Sequence, residues 1–371
     1  MTGAGFETLV VDPKDCVGDQ SDWRRLAATA LESNPFFGPD FLSPFLTHVG
    51  PSSVRLCVVR ETAGGPWLIA APVGRRRAGL VVPTATVWAS EYGPLGAPLV
   101  APGAPPQAVA AFLDLAAGAG GTPLVTIPYL PTEGAAARAL ATVADWHPVF
   151  DDPQERAAHD AGEQGQRQLL EAMTAKRRKE LSRLSRRLAD RGATRLVSHR
   201  GEAAADVFER FLVLEHAGWK GAHATSLLSD PATAAFARQM IAARAQAGSL
   251  RIDALMLDDR PLAMLVMLLE GARAFSWKIA YDEAFARFSP GQRVALFALE
   301  TNLREPGLAG GDSLAVPGHP MISPLWRGRM VYATGLFARS PAGRLIRLAA
   351  RLDLHAERQA RRLARRLLRR G

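Results

Sequence analysis

Cysteine is scarce in this 371-residue sequence, which contains only Cys16 and Cys57. Two thiols are too few for a disulfide framework or a thiolate metal cluster, so we expect a reducing compartment and no bound metal. Long apolar runs are also missing, because no stretch approaches the roughly twenty apolar residues of a membrane-spanning helix. Residues 1–15 lack a basic segment followed by an apolar run. Together these absences predict a protein of the cytoplasm.

Net positive charge is small outside the C-terminus, although the net charge of the whole chain is +9. Residues 344–371 contain ten arginines against two acidic residues, Asp353 and Glu357, and therefore contribute +8. The other residues together carry only +1. A nearly neutral body argues against a nucleic acid as the partner of the main fold.

The C-terminal arginines are interleaved with leucines at helical spacing, which predicts a basic amphipathic helix. Such helices bind anionic membrane surfaces, so we expect peripheral association with the inner membrane face. The guanidinium groups could instead pair with an anionic nucleotide second messenger, or the tail could be a solubilising end. The apolar positions are Leu345, Ile346, Leu348, Leu352, Leu363, Leu367 and Leu368.

The order of predicted elements repeats along the chain, and 48% hydrophobic residues allow two buried cores. Each half contains a strand, helices, three strands, a helix and a short strand, which predicts a mixed α/β (α+β) sheet covered by helices. We place one domain at residues 1–155, a second at 156–335 and the basic tail at 336–371. The polar residues 151–166 are predicted to connect the halves, and a long basic helix is predicted over 168–190.

A strand ending at Tyr281-Asp282 leads into Ser289-Pro290-Gly291, which is typical of a helix start. Ser289 suits the N-cap, Pro290 the first helical position, and Gly291 leaves the backbone uncovered. Free N–H groups and the helix dipole at such a start can hold a phosphate. The same residues would also serve an ordinary capped helix without a ligand.

Several short motifs make the sequence similar to the acetyltransferase superfamily known as GNAT. The resemblance spans nearly the whole chain and is strongest to the CelD-like branch, which is related to the FemAB-type acyltransferases. The motifs are Asn34-Pro35-Phe36-Phe37, Phe41-Leu42, Glu91-Tyr92-Gly93-Pro94-Leu95, residues 215–221 (EHAGWKG), Tyr281-Asp282, Ser289-Pro290-Gly291 and Gly311-Asp312.

The resemblance implies tandem GNAT-like domains and acetyl-CoA or another acyl-CoA as co-substrate. It also implies a role in the synthesis of exopolysaccharide or another cell-surface polysaccharide. Two motifs depart from the family pattern. Residues 288–292 (FSPGQ) replace the usual Gln/Arg-x-x-Gly-x-Gly/Ala loop, and the Tyr-Lys pair expected before Trp326 is missing.

Acyl transfer requires a bound donor, a base for the acceptor's proton and stabilisation of the developing oxyanion. We expect Asp312, which follows two glycines, to be the base, with Glu215 and His216 as further candidates. Tyr281 is the candidate that protonates the leaving thiolate. Each has an ordinary alternative: a turn residue for Asp312, a helix end for Glu215 and His216, and packing for Tyr281.

The residues expected to bind the donor's phosphates are Ser289, Pro290, Gly291, Gln292 and Arg293. The acceptor is expected to contact Trp219, Lys220 and Trp326. An indole such as that of Trp219 can stack on a sugar face, although an aromatic at a helix end is more often part of a core.

The leading hypothesis is an acyl-CoA-dependent N- or O-acetyltransferase that modifies a sugar or a lipid-linked saccharide. The second domain is expected to hold the CoA, and the first to be a degenerate copy that shapes the acceptor cleft. The alternative is an inactive protein that binds an anionic nucleotide and recruits a polysaccharide synthase, which the missing Tyr-Lys pair favours. A third possibility is peptide ligation from an aminoacyl-tRNA, which predicts RNA binding that weakens steeply with salt.

Overall fold

The structure, a computed structural model, describes residues 5–13, 20–339 and 341–368, with the side chains of the last helix as far as Ala364. Cys16 lies outside the described residues. The strands are β1 (Glu7–Val11), β2 (Arg55–Arg60), β3 (Trp67–Arg77), β4 (Pro83–Val87), β5 (Leu99–Val100), β6 (Leu124–Pro131), β7 (Pro148–Asp160), β8 (Thr194–Arg200), β9 (Leu250–Leu257), β10 (Arg260–Glu270), β11 (Arg273–Tyr281), β12 (Gly310–Asp312) and β13 (Gly328–Ala338). The α-helices are α1 (Gln20–Thr29), α2 (Pro39–His48), α3 (Pro106–Gly120), α4 (Ala135–Ala141), α5 (Gly162–Ala172), α6 (Ala175–Ala189), α7 (Gly201–Ala217), α8 (Trp219–Ala222), α9 (Pro231–Gln246), α10 (Pro290–Arg304) and α11 (Gly343–Leu368). Short 3-10 helices cover Leu227–Ser229 and Glu283–Phe288.

The chain folds into two compact units. Unit 1 comprises Met1–Pro39, Pro51–Gln154 and Val331–Gly371, and unit 2 comprises Asp40–Gly50 and Glu155–Met330. Most of helix α2 therefore belongs to unit 2, although it comes early in the chain. Within unit 2, the α2 residue Phe41 packs edge-on against Phe236 and Trp277, at ring-centroid distances of 5.3 and 6.5 Å.

The two units contain the same order of main strands, with one more long helix after the first strand in unit 2, which confirms the predicted mixed α/β fold with repeated halves. In unit 1 the order is β1, α1, β2, β3, β4, α3 and β6, and β4 pairs with β6 in parallel. In unit 2 the order is β8, α7, α9, β9, β10, β11, α10 and β12, and β11 pairs with β12 in parallel. The middle strands of each unit form antiparallel meanders, because short hairpin turns connect them.

The sheet of unit 2 runs in the order β7, β12, β11, β10, β9, β8. Its central strands are long apolar runs, and every residue of β9 is buried, as expected for strands covered by helices on both faces. The turn between β9 and β10 is formed by Asp258 and Asp259, one residue earlier than predicted. Asp258 has a φ of 51°, which suits a two-residue hairpin turn.

The core of unit 2 lies between the sheet and α10. Val294 and Ala298 of α10 pack with Leu265 of β10 and with Trp326, and all four side chains are buried. Pro290 begins α10 as predicted, because its fixed φ suits the first helical position and its missing N–H needs no partner there.

Two predictions for residues 151–190 are wrong. Residues 151–160 of the polar stretch predicted as a connection are instead the second part of strand β7, in which the polar side chains of Arg156 and His159 are buried, and residues 162–166 begin α5. The long basic helix is broken into α5 and α6, because Thr174 caps a new helix by accepting a hydrogen bond from the Arg177 N–H, 3.3 Å away.

The predicted C-terminal helix is present as α11, which belongs to unit 1. Among the helices that the structure describes, none has the length and apolarity needed to cross a membrane. Within the same described residues, no three histidine, cysteine or carboxylate side chains are grouped as a metal site.

Candidate functional site

The candidate site lies in unit 2, where two parallel strands separate. β11 and β12 pair only from Arg273↔Gly310 to Phe275↔Asp312. Beyond these pairs a pocket of about 380 Å³ lies between residues 276–281 of β11 and residues 313–316. Separating strands present facing backbone edges to which an extended ligand can bond, as when a peptide adds to a sheet.

A β-bulge in β11 lies at the beginning of this separation. Val266 of β10 pairs with Lys278, while the next residue, Met267, pairs with Ser276. Trp277 is therefore an extra residue in β11. A bulge bends its strand and increases the local twist, which helps β11 to turn away from its parallel neighbour.

Asp312 directly precedes Ser313, which lines the pocket, but Asp312 itself is fully buried and is not a lining residue. Arg156 of β7 donates from Nε to Oδ1 over 2.8 Å and from Nη2 to Oδ2 over 2.6 Å. A carboxylate held by both arms of a buried guanidinium cannot reach an acceptor to remove its proton. This geometry argues against the predicted role of Asp312 as the catalytic base.

The same carboxylate instead holds a strained turn. The Leu314 N–H donates to Asp312 Oδ1 over 2.9 Å, and Leu314 has a φ of 53°, in the left-handed region that leucine rarely adopts. Leu314 also lines the pocket. Asp312 therefore positions the chain where it leaves β12, so its effect on the pocket is indirect.

Glu215 and Lys220 form a partly buried ion pair on the opposite wall. Lys220 Nζ donates to Glu215 Oε1 over 2.8 Å and to the Ile279 carbonyl over 3.2 Å. The second oxygen of Glu215 accepts the Leu227 N–H over 2.9 Å. Because both oxygens are bonded and the side chain is buried, Glu215 fits a role in positioning Lys220 better than its predicted role as a base.

His319 is a pocket residue that the sequence analysis did not single out. Its Nδ1 accepts the Met321 N–H over 3.3 Å, so the neutral ring carries its proton on Nε2. Burial, together with the charge of Lys220, lowers the pKa of His319. The imidazole is therefore neutral at physiological pH and can donate a hydrogen bond. Its only sequence signal was its place in a turn, Pro317-Gly318-His319-Pro320.

The structure brings Tyr281, Trp219 and Lys220 together at this pocket, as predicted candidates. Trp219 is 54% exposed at the wall of the pocket, and its backbone N–H donates to Glu283 Oε1 over 2.8 Å. An indole exposed beside a polar pocket offers a flat surface for a ligand.

The structure separates two other predicted residues from the pocket. Trp326 is fully buried, and its Nε1 donates to the Ala295 carbonyl over 3.4 Å, so it belongs to the core and cannot touch an acceptor. His216 is exposed on α7 and its Nδ1 bonds to Ser226 Oγ over 2.8 Å, away from the residues that line the pocket.

The start of α10 differs in detail from the prediction. Ser289 occupies the N-cap position with a φ of 52°, but its side chain makes no capping hydrogen bond. Gly291 is buried, and a Cβ there would lie 2.6 Å from Sδ of Met321. Gln292 is partly exposed. The backbone at Gly291 is therefore covered by Met321, a residue that also lines the pocket.

Arg293 on the first turn of α10 has a buried Nη1 atom that makes no hydrogen bond to any residue the structure describes. Burial lowers the pKa of this guanidinium. A buried donor without an acceptor is costly, and a bound anion would supply the acceptor.

Comparisons with known proteins agree with this architecture. Residues 175–308 match the family model described as "Acetyltransferase (GNAT) domain". Unit 2 contains an acetyltransferase (GNAT) domain. A domain of this type identifies the protein as an acyltransferase. The finer assignment to the CelD-like branch stays a prediction.

Three solved structures share the fold over most of the chain. The C-terminal domain of a protein assigned as a lysylphosphatidylglycerol synthetase, from Agrobacterium fabrum, is 13% identical over 91% of this chain and 95% of its own, with a TM-score of 0.55. FemX is 11% identical over 93% of this chain and 100% of its own, with a TM-score of 0.57. A conserved protein of unknown function from Bacteroides thetaiotaomicron is 10% identical over 86% of this chain and 97% of its own, with a TM-score of 0.53. No curated protein matches the chain in sequence.

Proposed function

We propose that the GNAT domain transfers an acyl group from a coenzyme A thioester to an amine or hydroxyl, with the thioester bound between β11 and the chain that follows β12. The observation that carries the proposal is the separation of these two parallel strands around the pocket. The pantetheine arm of CoA is an extended chain with amide groups, so it can bond to the facing strand edges as a peptide would.

The start of α10 supports a phosphate-bearing donor. It combines the helix dipole with Arg293, whose buried Nη1 makes no hydrogen bond to the described residues. A pyrophosphate near this turn would satisfy that donor and supply charge where the helix favours it. The predicted donor-binding residues 289–293 keep this role in the proposal.

The pocket contains groups suited to the reaction. The acceptor attacks the thioester carbonyl carbon, the C–S bond breaks, and the acceptor's proton ends on sulfur, giving an acylated acceptor and free CoA thiol. The Nε2–H of His319 and the remaining N–H of Lys220 can donate to the carbonyl oxygen as negative charge develops there. Tyr281 at the pocket wall can protonate the leaving sulfur.

The acceptor is proposed to be a sugar or a lipid-linked saccharide. Trp219, half-exposed at the pocket, supports this class because an indole can cover the apolar face of a pyranose ring. Polysaccharide synthesis would supply such an acceptor, as the family resemblance implies.

A second candidate donor is an aminoacyl-tRNA. Helix α6 supports it with a row of exposed cationic side chains, Lys176, Arg178, Lys179, Arg186 and Arg187. Binding of tRNA through these groups would weaken steeply between 50 and 200 mM salt, as expected of phosphate contacts. Acyl-CoA turnover in the absence of RNA would exclude the need for this donor.

Release of free thiol from acetyl-CoA tests the proposal, with amino sugars and neutral sugars as acceptors. The only described cysteine, Cys57, is buried and burial raises its pKa to about 12, so the Cys57 thiol should add little background, and a protein-only blank measures any signal from the other thiol. His319→Gln should lower kcat/KM about a hundredfold, the usual effect of removing one oxyanion donor. His355→Gln, on the exposed part of α11, should leave the rate unchanged. No thiol release with any acceptor would contradict the proposal.

A further inference from the structure

Helix α11 exposes a second apolar face. Its inner face packs Ile346, Ala350 and Leu354 against Leu124 and Leu336 of unit 1. On the opposite face the exposed leucines are spaced three, four and eleven residues apart, which places them on one line along the helix. They are Leu345, Leu348, Leu352 and Leu363.

One carboxylate adds a polar anchor to this packing. Asp353 accepts hydrogen bonds of 2.8 to 3.1 Å from the backbone N–H groups of residues 79–82, at the turn between β3 and β4. Gly79 allows the approach, because a Cβ there would lie 2.4 Å from the Asp353 carbonyl oxygen. The exposed leucines therefore stand on a docked helix, which needs no folding on binding.

The same turn adds apolar surface. Val81 is 70% exposed and Leu80 is also exposed. We call the outer leucines of α11 and this turn the tail surface. A soluble protein rarely leaves several large aliphatic side chains exposed together without a partner.

Positive charge borders the tail surface. Arg344 and Arg362 are exposed on α11, and the helical spacing places both on the same side of the line of leucines. The acidic groups of the region are engaged, because Glu357 pairs with Arg361 over 2.5 Å and buried Asp151 pairs with Arg358 and, over 3.6 Å, with Arg351. The surface therefore presents leucines edged by cations.

We propose that the tail surface docks unit 1 onto an anionic lipid bilayer, with the leucines in the interface and the arginines at the lipid phosphates. The arginines beside the leucines favour an anionic bilayer over a neutral partner, because their charge is complementary to that of the lipid phosphates. An apolar stripe beside arginines is the pattern of helices that lie in the plane of a membrane. The inference is independent of the proposed acyl transfer, because every residue of the tail surface lies in unit 1.

Sedimentation with vesicles tests this proposal on the full chain. Vesicles of phosphatidylcholine and phosphatidylglycerol should bind the protein, and vesicles of phosphatidylcholine alone should bind it at least tenfold more weakly. The double variant Leu348→Ser/Leu352→Ser should lose at least tenfold in partitioning, because these side chains, 53% and 63% exposed in the protein, would no longer enter the interface. Leu170→Ser in unit 2, at a leucine 69% exposed, is the matched control and should bind as the wild type does.

Two double variants that remove the same charge distinguish docking through the tail surface from a general attraction of the protein to anionic vesicles. Arg344→Gln/Arg362→Gln should weaken binding to anionic vesicles at least tenfold, whereas Arg186→Gln/Arg187→Gln on α6 removes the same charge and should change it less than twofold. Equal loss in both variants, equal binding to neutral vesicles, or no binding would overturn the proposal. So would a wild-type dimer in solution that Leu348→Ser/Leu352→Ser converts to monomer, since a second copy would then cover the face.

Discussion

Arg156 and Asp312 form a two-armed ion pair inside unit 2, in which the guanidinium is 1% exposed and the carboxylate 0% exposed. The two residues are far apart in sequence, on β7 and at the end of β12. Because Asp312 also holds the Leu314 N–H, the pair joins β7 to the turn that borders the pocket. The residue expected to be the base is therefore part of the support of the site.

Replacing Asp312 by Asn should destabilise unit 2 by about 3 to 5 kcal/mol, because the Arg156 charge would stay buried without its partner. Denaturant unfolding measures this change. Glu209→Gln, in the exposed pair with Arg238, is the control and should change stability by less than about 1 kcal/mol. A stable Asp312→Asn protein without activity would return Asp312 to the role of base.

The activity should depend on the neutral form of His319. Since burial and Lys220 lower the pKa of His319, the acid limb of the kcat/KM profile should lie below the ordinary histidine pKa of about 6.5. Lys220→Met removes a cation that disfavours imidazolium, so the limb should move to higher pH. A limb that stays in place in Lys220→Met would show that another group titrates.

Arg293→Met should weaken the binding of acetyl-CoA at least tenfold but leave the binding of S-acetylpantetheine, which has no phosphates, unchanged. A charged hydrogen bond to phosphate is lost in the first case only. The stability of the free protein should not fall, because the buried Nη1 has no hydrogen-bond partner among the described residues. Calorimetric titration with both ligands measures the difference, and equal weakening of both would contradict the role of Arg293.

Unit 2 should lose stability in mild acid because of His159. This ring is buried, accepts from Asn302 Nδ2 at Nε2 over 2.9 Å, and bonds through Nδ1 to the Asp160 carbonyl over 2.9 Å. Burial lowers the pKa of His159 to about 4. As the pH is lowered, His159 takes up a proton near pH 6.5 in the unfolded chain but only near pH 4 in the folded chain. The free energy of unfolding therefore has its full value above pH 6.5 and decreases as the pH falls from 6.5 to 4.

The expected loss is up to about 3 kcal/mol, from one proton over that interval. Denaturant unfolding at pH 7, 5.5 and 4 measures it. His159→Gln should flatten the dependence, while His355→Gln at an exposed position should not. An unchanged slope in His159→Gln would assign the effect to other groups.

The fold was largely predictable because the central strands carry their own signal. The runs at residues 250–257, 261–270 and 272–280 are apolar, of strand length and separated by turn residues, and all three are strands within one residue of the prediction. Ser289-Pro290-Gly291 likewise placed the start of α10.

Strand β7 was missed because its signal is not local. Its buried residues Arg156 and His159 are polar and find their partners in Asp312 and Asn302, more than a hundred residues later. Such a strand has the composition of an exposed connection. The site was predicted only in part for the same reason. The exposure of Trp219, the burial of Trp326 and the position of His319 at the pocket all depend on tertiary packing.

The most direct test of the account is calorimetric titration of the protein with acetyl-CoA, repeated with Ala315→Leu. Ala315 lines the pocket beyond β12, and a leucine would fill the space between the separating strands. Ala242→Leu, exposed on α9, is the control. We expect binding to the wild type and the control, and at least tenfold weaker binding to Ala315→Leu. Absence of binding to the wild type, or equal affinity for all three proteins, would contradict a donor site between β11 and the chain after β12.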